Sequence, residues 1–258
     1  MAAPSIKVSE TPLVLYLLRR ADDALILGHR LSEWCGHAPM LEEDMALANI
    51  GLDLLGQARE LYTYAARVEG KGNDEDKLAY LRDVRQYRNL LLVEQPNGDF
   101  AHTMVRQFFY SVFADLYWRA MTKSSDATLA AIAARSEKES AYHVRHSSEW
   151  MLRLGDGTAQ SHARAQTAIE ELWAFTGEMF ALDQAERALV DAGIAIDPAA
   201  IRPQWLMTIS NIIGQATLAR AKGDWMQQGG RIGHHSEHLG HLLSELQSLP
   251  RTFPGARW

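Results

Sequence analysis

Apolar residues recur every three or four positions along most of this chain, and no stretch of convincing length alternates with the period of two that a half-buried strand requires. The longest periodic run covers residues 41–70, where Leu47, Ile50, Leu54 and Leu61 form one row and Gly51, Leu55, Ala58 and Tyr62 widen it. A helix of about 28 residues rising roughly 1.5 Å per residue spans about 40 Å, the length of a long bundle member. Ahead of it the pattern predicts a helix from Pro12, where proline suits the first turn. Its inward face is Leu17, Ala24, Leu27, Leu31 and Trp34, with Asp22 and Asp23 turned away. Residues 36–39 stop that helix, so the two form a hairpin.

The polar connection GKGNDED leads into LAYLRDVRQYRNLLLVEQPNG, which is partly helical and ends on a turn signal at Pro96, Asn97 and Gly98. We read this segment as a crossover. Asp99 then caps an aromatic-rich helix, FAHTMVRQFFYSVFADLYWRAM. Ser124, Ser125 and Asp126 cap another, whose inward row is Leu129, Ile132, Ser136, Ser140, His143, Ser147, Trp150 and Leu154. Two long hairpins joined by a crossover predict an all-α fold, a ferritin-like helical bundle with additional C-terminal helices near residues 162–180, 181–192, 203–221 and 236–249. Residues 11–258 are expected to form a single domain, with 1–10 a flexible tail.

Composition narrows the function classes. With 47% hydrophobic and 22% charged residues, the 258-residue chain can bury one large core. A net charge of −6 argues against nonspecific nucleic-acid binding, which needs a basic face. No apolar run is long enough to cross a membrane, and MAAPSIKVSE lacks the form of a secretory signal, so a cytoplasmic location is expected. The single cysteine, Cys35, excludes an intrachain disulfide and reads as a small apolar residue at a helix end.

Three clusters invite a chemical reading. Glu139, His143 and His146 share a helical face, yet a carboxylate-bridged metal pair also needs Glu-x-x-His on a neighbouring helix, and residues 54–57 read Leu, Leu, Gly, Gln. A hydrogen-bonded core histidine beside Ser140 and Ser147 is the favoured reading. His234, His235, His238 and His241 could hold zinc or nickel adventitiously, with His234, His238 and His241 on one face; the plainer reading is a helix start capped by Ser236. Arg82, Arg85 and Arg88, with Lys77, could meet an anionic ligand such as a coenzyme A tail, although a solvated face paired with Asp74, Asp76 and Asp83 is favoured on residues alone. No nucleophile elbow, P-loop or dinucleotide fingerprint occurs.

Longer motifs are more specific. RLSEWCGHAP at 30–39, LANIGLDLLGQAR at 47–59, NLLLVEQPNGDFAHT at 89–103, YHVRHS at 142–147, HSEHLG at 235–240 and PGARW at 254–258 together resemble the PaaC family, the C-type component of bacterial ring-1,2-phenylacetyl-CoA epoxidases. The resemblance implies a ferritin-like, structural and non-catalytic subunit of a multicomponent di-iron monooxygenase in aerobic phenylacetate catabolism. That complex epoxidises phenylacetyl-CoA with electrons from a reductase subunit. It also implies that the di-iron centre lies in a homologous catalytic partner of the PaaA type, so that this chain carries no catalytic or metal residues and no cofactor. Matched to that partner's motifs, the ligand positions fall on Ala24, Leu54, Gln57 and Ser140, and only His143 keeps a ligand type. Acyl-CoA contacts are implied at Gln86, Tyr87, Arg88 and Asn89, and at Arg187, Ala188 and Leu189. Two rivals from other classes are an autonomous di-iron oxygenase or ferroxidase built on Glu139, His143 and Asp53, and an acyl-CoA-binding helical module. A scaffold subunit is expected to expose an apolar patch when alone, and FFYSVFADLYW is the candidate, with ordinary core its equal rival.

Overall fold

A computed structural model describes residues 5–256. Residues 1–4 of the expected tail, and the last two residues of the PGARW motif, lie outside the described residues. Residues 5–10 run without regular structure and bond to the body of the protein: the Ile6 amide donates to the Leu81 carbonyl at 3.0 Å, and the Ser9 amide to Glu69 at 2.8 Å.

The first hairpin pairs α1 (Pro12–Ser32) with α2 (Leu41–Glu69). Thr11 caps α1 by accepting from the Val14 amide, with Pro12 in the first turn. The hairpin closes tightly because glycine faces glycine. A Cβ on Gly28 would meet the Gly51 carbonyl at 3.2 Å, and one on Gly51 would meet the Gly28 carbonyl at 3.3 Å. Every residue of the two rows predicted for α2 is buried except Leu55, which is half-buried.

The crossover is broken into α3 (Glu75–Tyr80), a 3-10 turn at Val84–Gln86 and α4 (Leu91–Glu94). The second hairpin follows as α5 (Phe100–Met121) and α6 (Ala127–Gly155), capped by Asp99 and Asp126, and α6 also packs on α2. Beyond it α7 (Ala159–Trp173) lies on α5, α8 (Gln184–Asp191) on α1, and α9 (Arg202–Gln215) across α5 and α6. The chain ends in α10 (Glu237–Leu246) and α11 (Ser248–Thr252). No strand occurs among the described residues, and the architecture is that of a ferritin-like bundle with an added C-terminal layer.

That layer changes which surfaces are free. The FFYSVFADLYW run is core rather than an exposed patch: Phe108 and Phe109 have no exposed surface and Tyr117 and Trp118 almost none. The covering aromatics are Trp173 and Trp205, whose rings lie 5.8 and 5.9 Å from Phe109, and Trp205 Nε1 donates to the Phe109 carbonyl at 3.0 Å. Cys35 is exposed in the turn after α1, not packed at a helix end. Among the described residues no helix is long and apolar enough to cross a membrane.

Burial of His29 on α1 makes the fold sensitive to acid. Desolvation lowers its pKa to about 4, against about 6.5 in an unfolded chain. Between those values the unfolded chain takes up a proton that the folded one does not. The contribution is therefore fully present above pH ~6.5 and is lost as pH falls toward 4, by up to about 3 kcal/mol. Urea unfolding at pH 7 and pH 5 should show a drop in stability that His29→Gln largely removes.

Candidate functional site

The residues matched to ferritin-type ligand positions are buried, but they form no ligand set. Ala24 and Leu54 are apolar, and Gln57, Ser140 and His143 are each at most 4% exposed. Gln57 and His143 instead engage acids across α2 and α6. Gln57 Nε2 donates to Glu139 Oε2 at 2.9 Å, His143 Nε2 lies 3.0 Å from Asp53 Oδ2, and Ser147 Oγ donates to the His143 carbonyl at 2.7 Å. His146 Nε2 sits 2.8 Å from Glu43 Oε2. A carboxylate-bridged metal pair needs about four carboxylates and two histidines converging in the core. One histidine among alanine, leucine, glutamine and serine does not fit it. Among the described residues no group of three or more His, Cys, Asp or Glu could hold a metal ion.

The buried chemistry lies instead along α1, in a part the sequence pattern misassigns. Asp22 and Asp23, expected to turn away from the core row, are fully buried beneath the crossover and the C-terminal layer. Asp22 accepts from the Arg82 guanidinium, from the Tyr62 hydroxyl and, at 2.6 Å, from the Arg88 amide. Asp23 accepts two bonds from Arg231 at 2.8 and 2.9 Å and one from the Leu90 amide at 2.8 Å. Arg82 is therefore no part of a solvated face. It has no exposed surface, and its guanidinium lies 4.3 Å from the Tyr87 ring centroid. The carboxylates expected to pair with it serve elsewhere: Asp74 caps α3 and lies 3.6 Å from Lys77, and Asp83 lies 3.3 Å from Arg251.

Two further arginines on α1 reach the opposite way. Arg19 bonds Asp183 and Glu186 at the start of α8, and Arg20 lies 3.4 Å from Glu186 with its guanidinium over the Tyr117 ring. Burial pushes the Glu186 carboxyl up, but Arg20, Arg231 and Arg19 together hold it below its ordinary value. A cleft of about 260 Å³ opens here, lined by Arg19, Arg231, Asp183 and Glu186 among others.

Around this network stand the two predicted substrate stretches. In the first, Gln86 bonds Ser5, the Ile6 carbonyl and the Asp83 amide; Tyr87 is buried and donates to the Ala79 carbonyl. Arg88 reaches Glu10 at 2.6 Å, and Asn89 is buried with its amide on Glu94 at 2.8 Å. In the second, Arg187 and Ala188 are exposed on α8 and Leu189 is buried. None of the seven lines the cleft. Arg231 connects the first stretch to it, donating to the Arg88 carbonyl at 2.8 Å while its own carbonyl faces Arg19.

The histidine cluster is part of the same anchoring. Its helix starts only at Glu237, so His234 stands outside it and cannot share a face with His238 and His241. The His235 imidazole is buried, with Nδ1 2.8 Å from Glu94 Oε2 and Nε2 3.0 Å from the Tyr87 carbonyl. Ser236 occupies the cap position, yet its hydroxyl donates to Glu94 rather than closing its own helix. Gly230 lets this segment lie flat on the crossover, since a Cβ there would fall 2.1 Å from the Asn89 carbonyl.

Arg231, Glu94, Glu186 and Glu178, which accepts from the Leu91, Gly229 and Arg231 amides, are not marked out by any period or spacing in the sequence. The available signal is Arg19, Arg20, Asp22 and Asp23 within one turn of an otherwise apolar helix, since four charges that cannot all face water require partners.

The model of the family described as phenylacetic acid catabolic protein matches residues 2–258. The chain belongs to that family. Within the phenylacetic acid catabolic proteins it is similar to the C component of the 1,2-phenylacetyl-CoA epoxidase of Escherichia coli (strain K12), at 50% identity over 246 residues that cover 95% of this chain and 99% of that protein.

Removing one member of the Asp22 pair should be severe, because the Arg82 charge would stay buried without its carboxylate. Asp22→Ala is expected to lower unfolding free energy by about 3–5 kcal/mol in urea titrations at pH 7. A change below about 1 kcal/mol would mean that Arg82 finds water or another acceptor.

Proposed function

We propose that this chain is a structural, non-catalytic subunit of a multicomponent monooxygenase that epoxidises the ring of phenylacetyl-CoA in aerobic phenylacetate catabolism, working in the cytoplasm. Its part is to support a homologous catalytic subunit that carries the di-iron centre, with electrons reaching that subunit through a reductase. The observation that carries this reading is the donor set. A ferritin-like bundle that holds Ala24, Leu54, Gln57 and Ser140 at the positions matched to ligands lacks there the groups that bind a metal pair. The whole-length likeness to one component of a phenylacetyl-CoA epoxidase supports it. The same donor set disfavours an autonomous oxygenase or ferroxidase, because Glu139 and Asp53 are engaged with Gln57 and His143.

The acyl-CoA runs, in this proposal, along Gln86, Tyr87, Arg88 and Asn89 and past Arg187, Ala188 and Leu189. The part-exposed Arg88 and the exposed Arg187 are the cations of these stretches that can reach phosphate, and Tyr87 and Asn89 hold the backbone in shape.

The test is reconstitution. The untagged chain, grown in iron-rich medium, should contain well under one iron per chain by mass spectrometry. Mixing it with a phenylacetyl-CoA epoxidase di-iron subunit and reductase should restore epoxidation that neither preparation shows alone. Two irons per isolated chain, or full activity without this chain, would overturn the proposal.

A further inference from the structure

Among the described residues no element covers one long face of the bundle, and its pattern is that of a helix-packing surface. On α2, Met45, Asn49, Leu52, Gly56, Arg59 and Thr63 recur at spacings of three and four, and all but the half-buried Gly56 are exposed. On α6, Ala127, Ala131, Ala134, Lys138, Ala141 and Arg145 repeat the spacing, and all are exposed. The ties Glu43 to His146, Asp53 to His143, Gln57 to Glu139 and Arg67 to Thr128 descend along α6 as they ascend α2, so the helices run antiparallel. With about 3.6 residues per turn, each row lies roughly a quarter-turn from those ties, and the two quarter-turns fall on the same side. The rows therefore flank one shared surface, with a cleft of about 680 Å³ between them that Gly56 and Ile132 help to line.

Three properties identify what would cover it. Large apolar side chains stand in solvent: Leu41 is 73% exposed, Leu52 66% and Met45 59%. The alanines of α6 and Gly56 of α2 keep the surface low, so another helix can approach with its axis close. Arg67, Lys138 and Arg145 edge the face with positive charge in a chain whose net charge is −6, while Arg59 lies 3.7 Å from Glu75 and Arg135 pairs with Glu60 and Glu139. A face about 40 Å long and two helix diameters wide spans on the order of 800 Å², the share of one partner in a stable interface.

We infer that the α2/α6 face docks a pair of long helices from a second ferritin-like bundle with small or apolar residues along its centre and carboxylates along its edges. Resting on the function proposed above, that bundle is the catalytic subunit. A second copy of this chain fits less well, because Lys138 and Arg145 lie near the middle of α6. A two-fold axis running across the helices, which lays α6 antiparallel on its own copy, would bring those cations together.

The experiment measures binding of the untagged chain to the epoxidase di-iron subunit by calorimetry at fixed salt, with light scattering for mass. Leu52→Asp, Ala134→Arg and the pair Lys138→Glu and Arg145→Glu should each weaken binding by about 100-fold or more. Their melting temperatures should stay unchanged, since these side chains are exposed. Trp225→Ala, on an exposed loop elsewhere, should bind as the wild type does. Unchanged affinity in all three face variants would overturn the inference while leaving the subunit reading intact. No binding by the wild-type chain would remove both. A wild-type homodimer that the face variants dissociate would assign the surface to a second copy instead.

Discussion

The crossover, the start of α8 and the segment around Arg231 are fixed to the bundle through the charges of α1. Asp22 and Asp23 are buried, and each accepts both a guanidinium and a backbone amide, from residues 82 and 88 in one case and 231 and 90 in the other. The crossover has little regular structure of its own, so its amides need acceptors, and a carboxylate on a rigid helix is a strong one. Arginines then neutralise what those carboxylates would cost in the interior. The result is a crossover whose path is set by α1 rather than by its own hydrogen bonds.

Glu94 performs the same service from the crossover outward. Without exposed surface, it accepts from Asn89, His235, and both the amide and hydroxyl of Ser236, while its carbonyl receives Arg30. The two most recognisable sequence motifs, around residues 89–103 and 235–240, are thus two halves of one contact. Their local composition suits a structural joint better than a reactive centre.

The long helices are legible because their signal is periodic. Pro12, Asp99 and Asp126 mark starts, and the rows on α2 and α6 mark which side goes in. What the pattern does not reveal is anything decided by the C-terminal layer. The aromatics of α5 look equally suited to a core or an interface until Trp173 and Trp205 are seen to cover them, and no period in the sequence says which helix does so. Arg82 looks solvated for the same reason: three acids lie near it in sequence, whereas its partner is sixty residues away on α1. That Ala24 and Leu54 offer no side-chain ligand is visible from residue types alone. The ties between α2 and α6, Gln57 with Glu139 and His143 with Asp53, depend on how these helices face each other, which only the folded structure shows.

The reach of Arg231 also bears on the order in which the molecule can be made. Asp23 emerges from a ribosome more than two hundred residues before the arginine that neutralises it. During synthesis the α1/α2 hairpin can form from local contacts, but an acid on α1 that only Arg20 faces, at 3.9 Å, opposes its full burial until the C-terminal segment arrives. Closing so long a loop is slow compared with helix formation. The segment around Arg231 is therefore the part of the chain that closes last over its own first helix.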